Sequence, residues 1–494
     1  MKNMLGIDLG TSSVKAVVVN EEGLLLGIGM QEYPIEIPKP EWAEQSPEVW
    51  WDSTVVAVQQ AVRQARVSIN AIGLSGQMHG LVLIGFDNRP VAPAIIWADQ
   101  RSTREVEDMI SLVGTNRLAA VAGTAPACGF MGPSLLWLKR HEPKRLERSL
   151  ACLLPKDYIR LCLTGEVATE ATDASSTALF DISRRLWSKE IIEALGLPDR
   201  IFPPVLRSSD VAGSLLKQAA DELSLPAGIP VVAGCADQVA QAIGNGLVDP
   251  GEASITIGSG GQIFIPLEKP ITDDQLRIHC FCHAPVDRWY LLGAMLTAGL
   301  SLRWFRDLLE LKQDDQAYSK LAGLAAKVQP GAGGLLFLPY LAGERSPVMD
   351  PKARGCFVGL ALHHDRGYLA RAILEGVAFA IRQILETTTA LNVPIQRLLA
   401  AGKGLSSPIW RQILADILGR PLQRHSEAER TATGAALVAG LGINIYGSYS
   451  ELKEIIRPAT EITEPSRENL GLYEQRYGMY REIYPKMRDL FRPD

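Results

Sequence analysis

Two aspartates, Asp8 and Asp237, each close a short run of apolar or small residues and open a turn. Asp8 ends M-L-G-I-D and leads into L-G-T-S-S. A carboxylate placed there can bind hydrated magnesium, while the backbone N–H groups of Gly10, Thr11, Ser12 and Ser13 can point at phosphate oxygens. Lys15 adds a positive charge close by. The run is not the G-x-x-x-x-G-K-[ST] phosphate loop, which disfavours that fold. The plainer reading is a hairpin carrying a surface aspartate. Asp237 ends A-G-C-A-D, whose small residues let a ligand come close. A carboxylate there can accept the proton of a sugar hydroxyl as it attacks phosphorus. An aspartate in this place can equally cap the helix that follows.

Met78 and His79 lie in S-G-Q-M-H-G, held between glycines. Imidazole can donate to or accept from sugar hydroxyls, and a thioether can line the apolar face of a small ligand. Packing at a domain boundary is the alternative. Trp97, Asp99 and Arg101 in W-A-D-Q-R read either as a sugar wall or as a surface ion-pair turn. Gly258, Ser259, Gly260 and Gly261 offer a second bare backbone for phosphates. Gly402 and Gly404, on either side of Lys403, offer a third turn suited to the adenosine end. Each of these also reads as a structural turn. Glu344 and Arg345 sit in a proline-bracketed loop that can brace a cleft. His279, Cys280, Cys282 and His283 are dense but lack a second spaced pair of ligands, so strand and pocket wall fits them better than zinc.

The elements that must hold these residues alternate. Strands are expected at 4–8, 14–19 and 24–29, joined tightly as an antiparallel meander. A helix is expected over 46–67, with strands at 69–74 and 81–86. Strand, glycine turn and helix recur from 229 to 243, and strand, glycine turn and strand from 253 to 266. A long helix opens at Tyr368, a strand runs from 398 into the glycine turn, and helices follow at 408–418 and 433–441. The tail from Arg467 reads as a charged, solvated helix. This order marks an α/β protein. The patterns beginning near residues 4 and 253 are similar, which predicts two related domains, 1–246 and 247–494, facing across a cleft.

Composition agrees. The chain of 494 residues is 47% hydrophobic and 21% charged, enough for sizeable cores, and its length fits two to four domains. A net charge of −5 argues against a broad basic surface, so no nucleic-acid partner is expected. The 7 cysteines are scattered like small hydrophobes rather than paired as a framework. No run reaches the ~18–20 apolar residues of a membrane span, and the expected location is cytoplasmic. A homodimer is one option for assembly.

The sequence resembles the FGGY family of carbohydrate kinases, and within it the xylulose kinases. The resemblance covers essentially the whole chain. It is carried by G-I-D-L-G-T-S-S-V-K from Gly6, E-Q-S-P-E-V-W-W from Glu44 and S-G-Q-M-H-G from Ser75. It continues in L-L-P-K-D-Y-I-R from Leu153, T-G-E from Thr164 and F-L-P-Y-L-A-G-E-R-S-P from Phe337. The resemblance implies two actin-like ATPase domains of ribonuclease-H-like fold. It implies ATP, Mg2+ and D-xylulose as reactants, with D-xylulose 5-phosphate as product. It implies that Asp237 is catalytic, that Asp8 is magnesium-linked, and that Met78, His79, Asp237 and Gln238 contact the sugar; Asp237 is also expected at the metal and Trp97 at the sugar. It implies nucleotide contacts at Thr11, Ser259, Gly299, Gly402 and Gly404, and Ser12, Gly260 and Lys403 are expected to join them from the same turns. The chain departs from the family pattern in three places: G-C-A-D-Q for G-G-G-D-N, G-S-G-G for G-T-S-G, and Lys403 where glycine is usual. Glutamine after the aspartate is familiar from glycerol kinases, so the rival acceptors are ribulose and glycerol.

Overall fold

The computed structural model of the protein describes residues 1–425, 429–456 and 461–491. It divides into two compact units. The first comprises Met1–Asp249, Pro266–Tyr290 and Glu427–Arg457, and the second Pro250–Ile265, Leu291–Ser426 and Pro458–Asp494. Two stretches beyond residue 246 therefore return to the first unit.

The first unit is built on a sheet whose strands lie in the order Val211–Ser214, Pro230–Val232, Ala71–Gly76, Asn3–Leu9, Ser13–Asn20, Leu25–Glu32. The expected meander is present: Asn3–Leu9, Ser13–Asn20 and Leu25–Glu32 pair antiparallel. Ala71–Gly76 then runs parallel to Asn3–Leu9, with Asp8 opposite Ser75. Cys235–Ala236 runs parallel to Ala71–Gly76 on its other side, with Cys235 opposite Ser75. Asp8 and Asp237 are thereby brought to the same end of the sheet, where parallel strands finish. Open α/β sheets characteristically bind ligands outside these carboxyl ends.

Helices cover the sheet closely. Pro47–Ala65 is capped by Ser46, whose side chain accepts from the Val49 N–H. The helix Thr431–Gly442, almost all small residues, packs on the other face. A Cβ on Gly6 would stand 1.9 Å from the Ala432 carbonyl oxygen, and one on Gly73 the same distance from that of Ala435. Only glycine at both strand positions lets helix and sheet backbones come this near. This contact is what returns a late stretch of chain to the first unit.

The second unit repeats the grammar. Gly251–Ile257 and Gly261–Leu267 form an antiparallel hairpin, and Ile395–Ala401 runs parallel to the first of them. Leu422–Arg424 and Glu461–Thr463 extend the sheet. The long helix Arg366–Ala390 starts at Asp365, whose carboxylate accepts from the Gly367 and Tyr368 N–H groups. The tail corrects the expectation of a solvated helix. Leu470–Arg481 buries Tyr473, Tyr477 and Tyr480 along one face. The Tyr473 hydroxyl lies 2.8 Å from Glu375 and 2.7 Å from Arg371.

Candidate active site

The two aspartates have unusual surroundings. Asp8 is buried, and Oδ1 of Asp8 and Oδ1 of Asp237 are both sealed from solvent with no hydrogen-bond partner among the described residues. Burial pushes the Asp8 carboxyl up to about 7. The Glu429 and Asp237 carboxylates push the same way, and the Lys15 ammonium pulls it down. Burial also pushes Asp237 up to about 6, against the stabilising N–H of Gln238. The capping role does not hold for Asp237: Ala236 occupies the N-cap, and Asp237 is the first helical residue of Asp237–Gly244. Its side chain is therefore available for other chemistry.

A buried carboxylate oxygen without a protein partner is costly unless a ligand, proton or cation completes it. Two carboxylates suit magnesium, which takes one or two from a protein and fills its octahedron with water and phosphate oxygens. Among the described residues no group of three or more His, Cys, Asp or Glu side chains gathers to form a protein-only metal cage. The pair therefore fits a hydrated ion shared with a phosphate substrate.

The turn after Asp8 is held from below. The Gly10 N–H donates to the Ser13 carbonyl over 3.0 Å. Gln45 Nε2 donates to the Thr11 carbonyl over 2.7 Å, and the Tyr33 hydroxyl donates to the Gly10 carbonyl. Trp97 Nε1 donates to the Thr11 hydroxyl over 2.8 Å, so Trp97 braces the turn. Its neighbours are an ion-pair turn, but a buried one rather than a surface one. Arg101 reaches Asp99 at 2.8 Å and Glu44 at 2.7 Å, with all three side chains at most 10% exposed. Ser12 is exposed at the tip.

His79 and Met78 are buried. His79 has φ 75, and its Nδ1 lies 2.8 Å from the Ser176 carbonyl oxygen. A carbonyl only accepts, so Nδ1 carries a proton. The imidazole stacks on Phe130 with centroids 3.9 Å apart and planes 4° from parallel. Phe130, which packs on the candidate residue His79, was not singled out from the sequence; an isolated aromatic before a helix gives no local signal. Gln238, on the first turn of its helix, is half-buried.

In the second unit, Ser259, Gly299, Lys403 and Gly404 line one cavity of about 370 Å³. Trp410 and Arg303, which the sequence reading did not single out, line it as well. Gly258 N–H bonds to the Gly260 carbonyl and Gly299 N–H to that of Gly258, locking the phosphate-type turn to the helix Gly299–Leu308. Gly402 has φ 82, and a Cβ there would lie 2.4 Å from the Ile257 carbonyl oxygen. Lys403 has φ −62, a conformation that any residue adopts without strain.

The dense His and Cys run forms the strand His279–Cys282. Alternation sends His279 and Phe281 to one face and the two cysteines to the other. His279 Nδ1 lies 2.7 Å from the Thr124 hydroxyl, and His283 Nε2 lies 3.1 Å from the Leu247 carbonyl. The run is a buried strand. Glu344 is buried and accepts from the Leu296 and Arg345 N–H groups, both at 2.8 Å.

Comparison with known proteins places these features in a family. The model of the "FGGY family of carbohydrate kinases, N-terminal domain" matches residues 3–244, and that of its C-terminal domain matches residues 253–443. A xylulose kinase of Lactococcus lactis is 34% identical over 99% of this chain and 98% of its own length. One from Escherichia coli is 35% identical over 98% of this chain and 99% of its own. The structure of xylulose kinase from Rhodospirillum rubrum superposes with a TM-score of 0.91 at 28% identity, covering 99% of this chain and 100% of that one.

Proposed function

The chain belongs to the FGGY family of carbohydrate kinases and is an ATP-dependent sugar kinase; from that premise we propose that it phosphorylates D-xylulose to D-xylulose 5-phosphate. The observation that carries the chemistry is the Asp237 carboxyl, lifted to about 6 with one oxygen that no described residue satisfies. A base poised near neutrality is ionised enough to accept a proton and basic enough to hold it. Asp237 takes the proton of the attacking sugar hydroxyl as that oxygen bonds to the γ-phosphorus of ATP and the bond to the β-phosphate oxygen breaks.

Asp8 and Asp237 would hold Mg2+, which when bound neutralises charge on the β- and γ-phosphates. His79, Met78, Trp97 and Gln238 form the sugar's surroundings in the first unit. Thr11 and Ser12 face phosphate there. In the second unit Ser259 and Gly260 offer backbone to phosphate oxygens, Gly299 lines the cavity beside them, and Gly402, Lys403 and Gly404 offer the adenosine end. The cavity beside them has the apolar wall an adenine ring needs, with Trp410 and Leu374 among its lining. D-Xylulose is favoured over other acceptors by the Met78–His79 pair and by the names of the curated relatives.

The proposed location is cytoplasmic; no helix among the described residues is long and apolar enough to cross a membrane. The test is an acceptor panel with MgATP: D-xylulose, other ketoses, aldoses and polyols including ribulose and glycerol, with the phosphorylated product identified. D-Xylulose should give the highest kcat/KM. Faster turnover of ribulose or glycerol would replace it, and ADP release independent of any acceptor would refute a sugar kinase.

A further inference from the structure

The short buried segment from Glu170 to Thr177 touches both halves of the proposed sugar chemistry. Glu170 is fully buried. Its carboxylate accepts from the Thr172 N–H at 2.8 Å, the Asp173 N–H at 2.9 Å, the Thr172 hydroxyl at 2.8 Å and the Ser208 hydroxyl at 3.0 Å. Because the Thr172 hydroxyl spends its one proton on Glu170, its oxygen presents lone pairs elsewhere. The Ala236 N–H donates to it over 2.9 Å. Ala236 is the residue immediately before Asp237 and the N-cap of its helix. At the other end of the segment, the Ser176 carbonyl holds His79 Nδ1, and the Ser176 hydroxyl is tied back to the Asp173 carbonyl over 2.7 Å.

The segment is itself anchored by charge. Lys156, fully buried, pairs with Asp157 at 2.7 Å, Glu170 at 3.4 Å and Asp173 at 3.3 Å. Arg160 pairs with Asp157 at 2.6 Å. Such a network is a poor way to gain stability, since each ion must be stripped of water. It is a good way to fix geometry, because every member constrains the next.

We infer that Thr172, oriented by Glu170, is a positioning residue for the phosphoryl-transfer step, fixing the backbone from which Asp237 projects. The inference rests on the reading of Asp237 as the base. It assigns the buried carboxylate of Glu170 a purpose: without an acceptor below it, the Thr172 hydroxyl would be free to rotate its proton toward Ala236, and the bond that sets the strand end would be lost. A displacement of about 1 Å at the reacting group is enough to cost ~10²-fold in rate.

The test compares Thr172→Val, which keeps shape and removes the acceptor, with Thr172→Ser, which keeps the hydroxyl. Both are assayed with MgATP and whichever acceptor of the panel turns over fastest. Thr172→Val should lower kcat ~10–100-fold while KM for ATP stays within about twofold, and Thr172→Ser should recover most of kcat. Combined with Asp237→Asn, Thr172→Val should add little further loss, because the two act through one group. Glu170→Gln provides a second route if Thr172→Val folds poorly, with a kcat loss in the same direction. Full kcat in Thr172→Val or Glu170→Gln beside an inactive Asp237→Asn overturns the positioning role alone. So does a loss that is as large in the Asp237→Asn background as in the native one, which marks a structural effect. If Asp237→Asn keeps its turnover, the reading of the base falls, and the positioning role falls with it.

Discussion

Lys15 Nζ lies 2.8 Å from Glu429 Oε2, an ion pair joining residues 414 positions apart. It sits beside Asp8, and its two members act on that carboxyl in opposite senses: Glu429 raises its proton affinity and Lys15 lowers it. With Asp8 proposed as a magnesium ligand, a metal must displace its proton, so this pair is expected to tune the magnesium requirement near neutral pH. Lys15→Met removes the cation and leaves the repulsion, and Asp8 rises above its present value of about 7. The half-saturating magnesium concentration should then rise severalfold, more at about pH 6.5 than at about pH 8.5. Asp8→Ala should raise it more sharply at both. A magnesium titration unchanged in both variants would place Asp8 outside the metal's surroundings.

Asp237 gives a pH dependence of its own. The carboxyl is lifted to about 6 mainly by burial, and only its ionised form accepts a proton. With saturating substrates and magnesium, kcat should fall about tenfold per pH unit below about 6 and level off above it. Asp237→Asn should lower turnover by at least ~10²-fold above about pH 7, with sugar affinity changed far less. A kcat that stays flat down to about pH 5 would remove Asp237 as the base.

His79 is held through Nδ1 by the Ser176 carbonyl and is proposed to face the sugar. Since Nδ1 donates to the Ser176 carbonyl, loss of the ring should be felt at a sugar hydroxyl and not at the nucleotide. His79→Ala should reduce kcat/KM for the ketose ~10–100-fold, the usual cost of an unpaired polar group in a binding site, and leave the KM for ATP alone. Equal losses for every acceptor, together with a weakened KM for ATP, would make His79 a packing residue on Phe130.

Much of this was readable in the residues because it is local. The meander, the glycine turns and the aspartates at strand ends depend on neighbours a few positions away, and the structure keeps them. What could not be read is long-range. Nothing near Lys15 announces Glu429, and nothing in the small residues of Thr431–Gly442 says that they pack on Gly6 and Gly73 of the first unit. Lys156, Asp157 and Arg160 in L-L-P-K-D-Y-I-R look like an ordinary solvated helix face, yet all three are fully buried, because their partners arrive from a later strand and turn. The tail carried a signal that its charges masked. Tyr473, Tyr477 and Tyr480 recur at helical spacing, which is the mark of a packed stripe.

Glu344 predicts a stability effect in the second unit. Burial pushes its carboxyl up to about 8, against the two N–H groups that favour its charged form. The folded chain therefore holds a proton there that the unfolded chain releases near 4.5. Across that window the native state binds more protons than the unfolded state, so stability must fall as pH rises. Asp8 and Asp237 act in the same sense over narrower windows. Glu344→Gln keeps the acceptor oxygen and cannot ionise. The urea midpoint should decline less steeply with pH in this variant than in the native protein between about pH 5 and about pH 8. Parallel declines would show that Glu344 is not titrating in this window.

Lys403 stands where its family usually has glycine, and the structure makes that substitution intelligible. Its φ of −62 lies in the ordinary right-handed region, while the left-handed conformation of the turn falls on Gly402, φ 82. The glycine that the turn needs is present, and Lys403 adds a Cβ without strain. Lys403 also lines the same cavity as Ser259 and Gly299. A flexible ammonium on that wall is a point charge within reach of an anionic ligand, and its attraction must weaken as salt rises, since screening acts over about 10 Å at 0.1 M ionic strength. Lys403→Gly should raise the KM for ATP severalfold at low salt and less at high salt, leaving the KM for the sugar unchanged. Measuring both constants at two ionic strengths separates a charge effect from a change in the turn, because loss of shape would raise the KM equally at both. An ATP constant that moves at neither salt would leave Lys403 a bystander on the rim of its cavity.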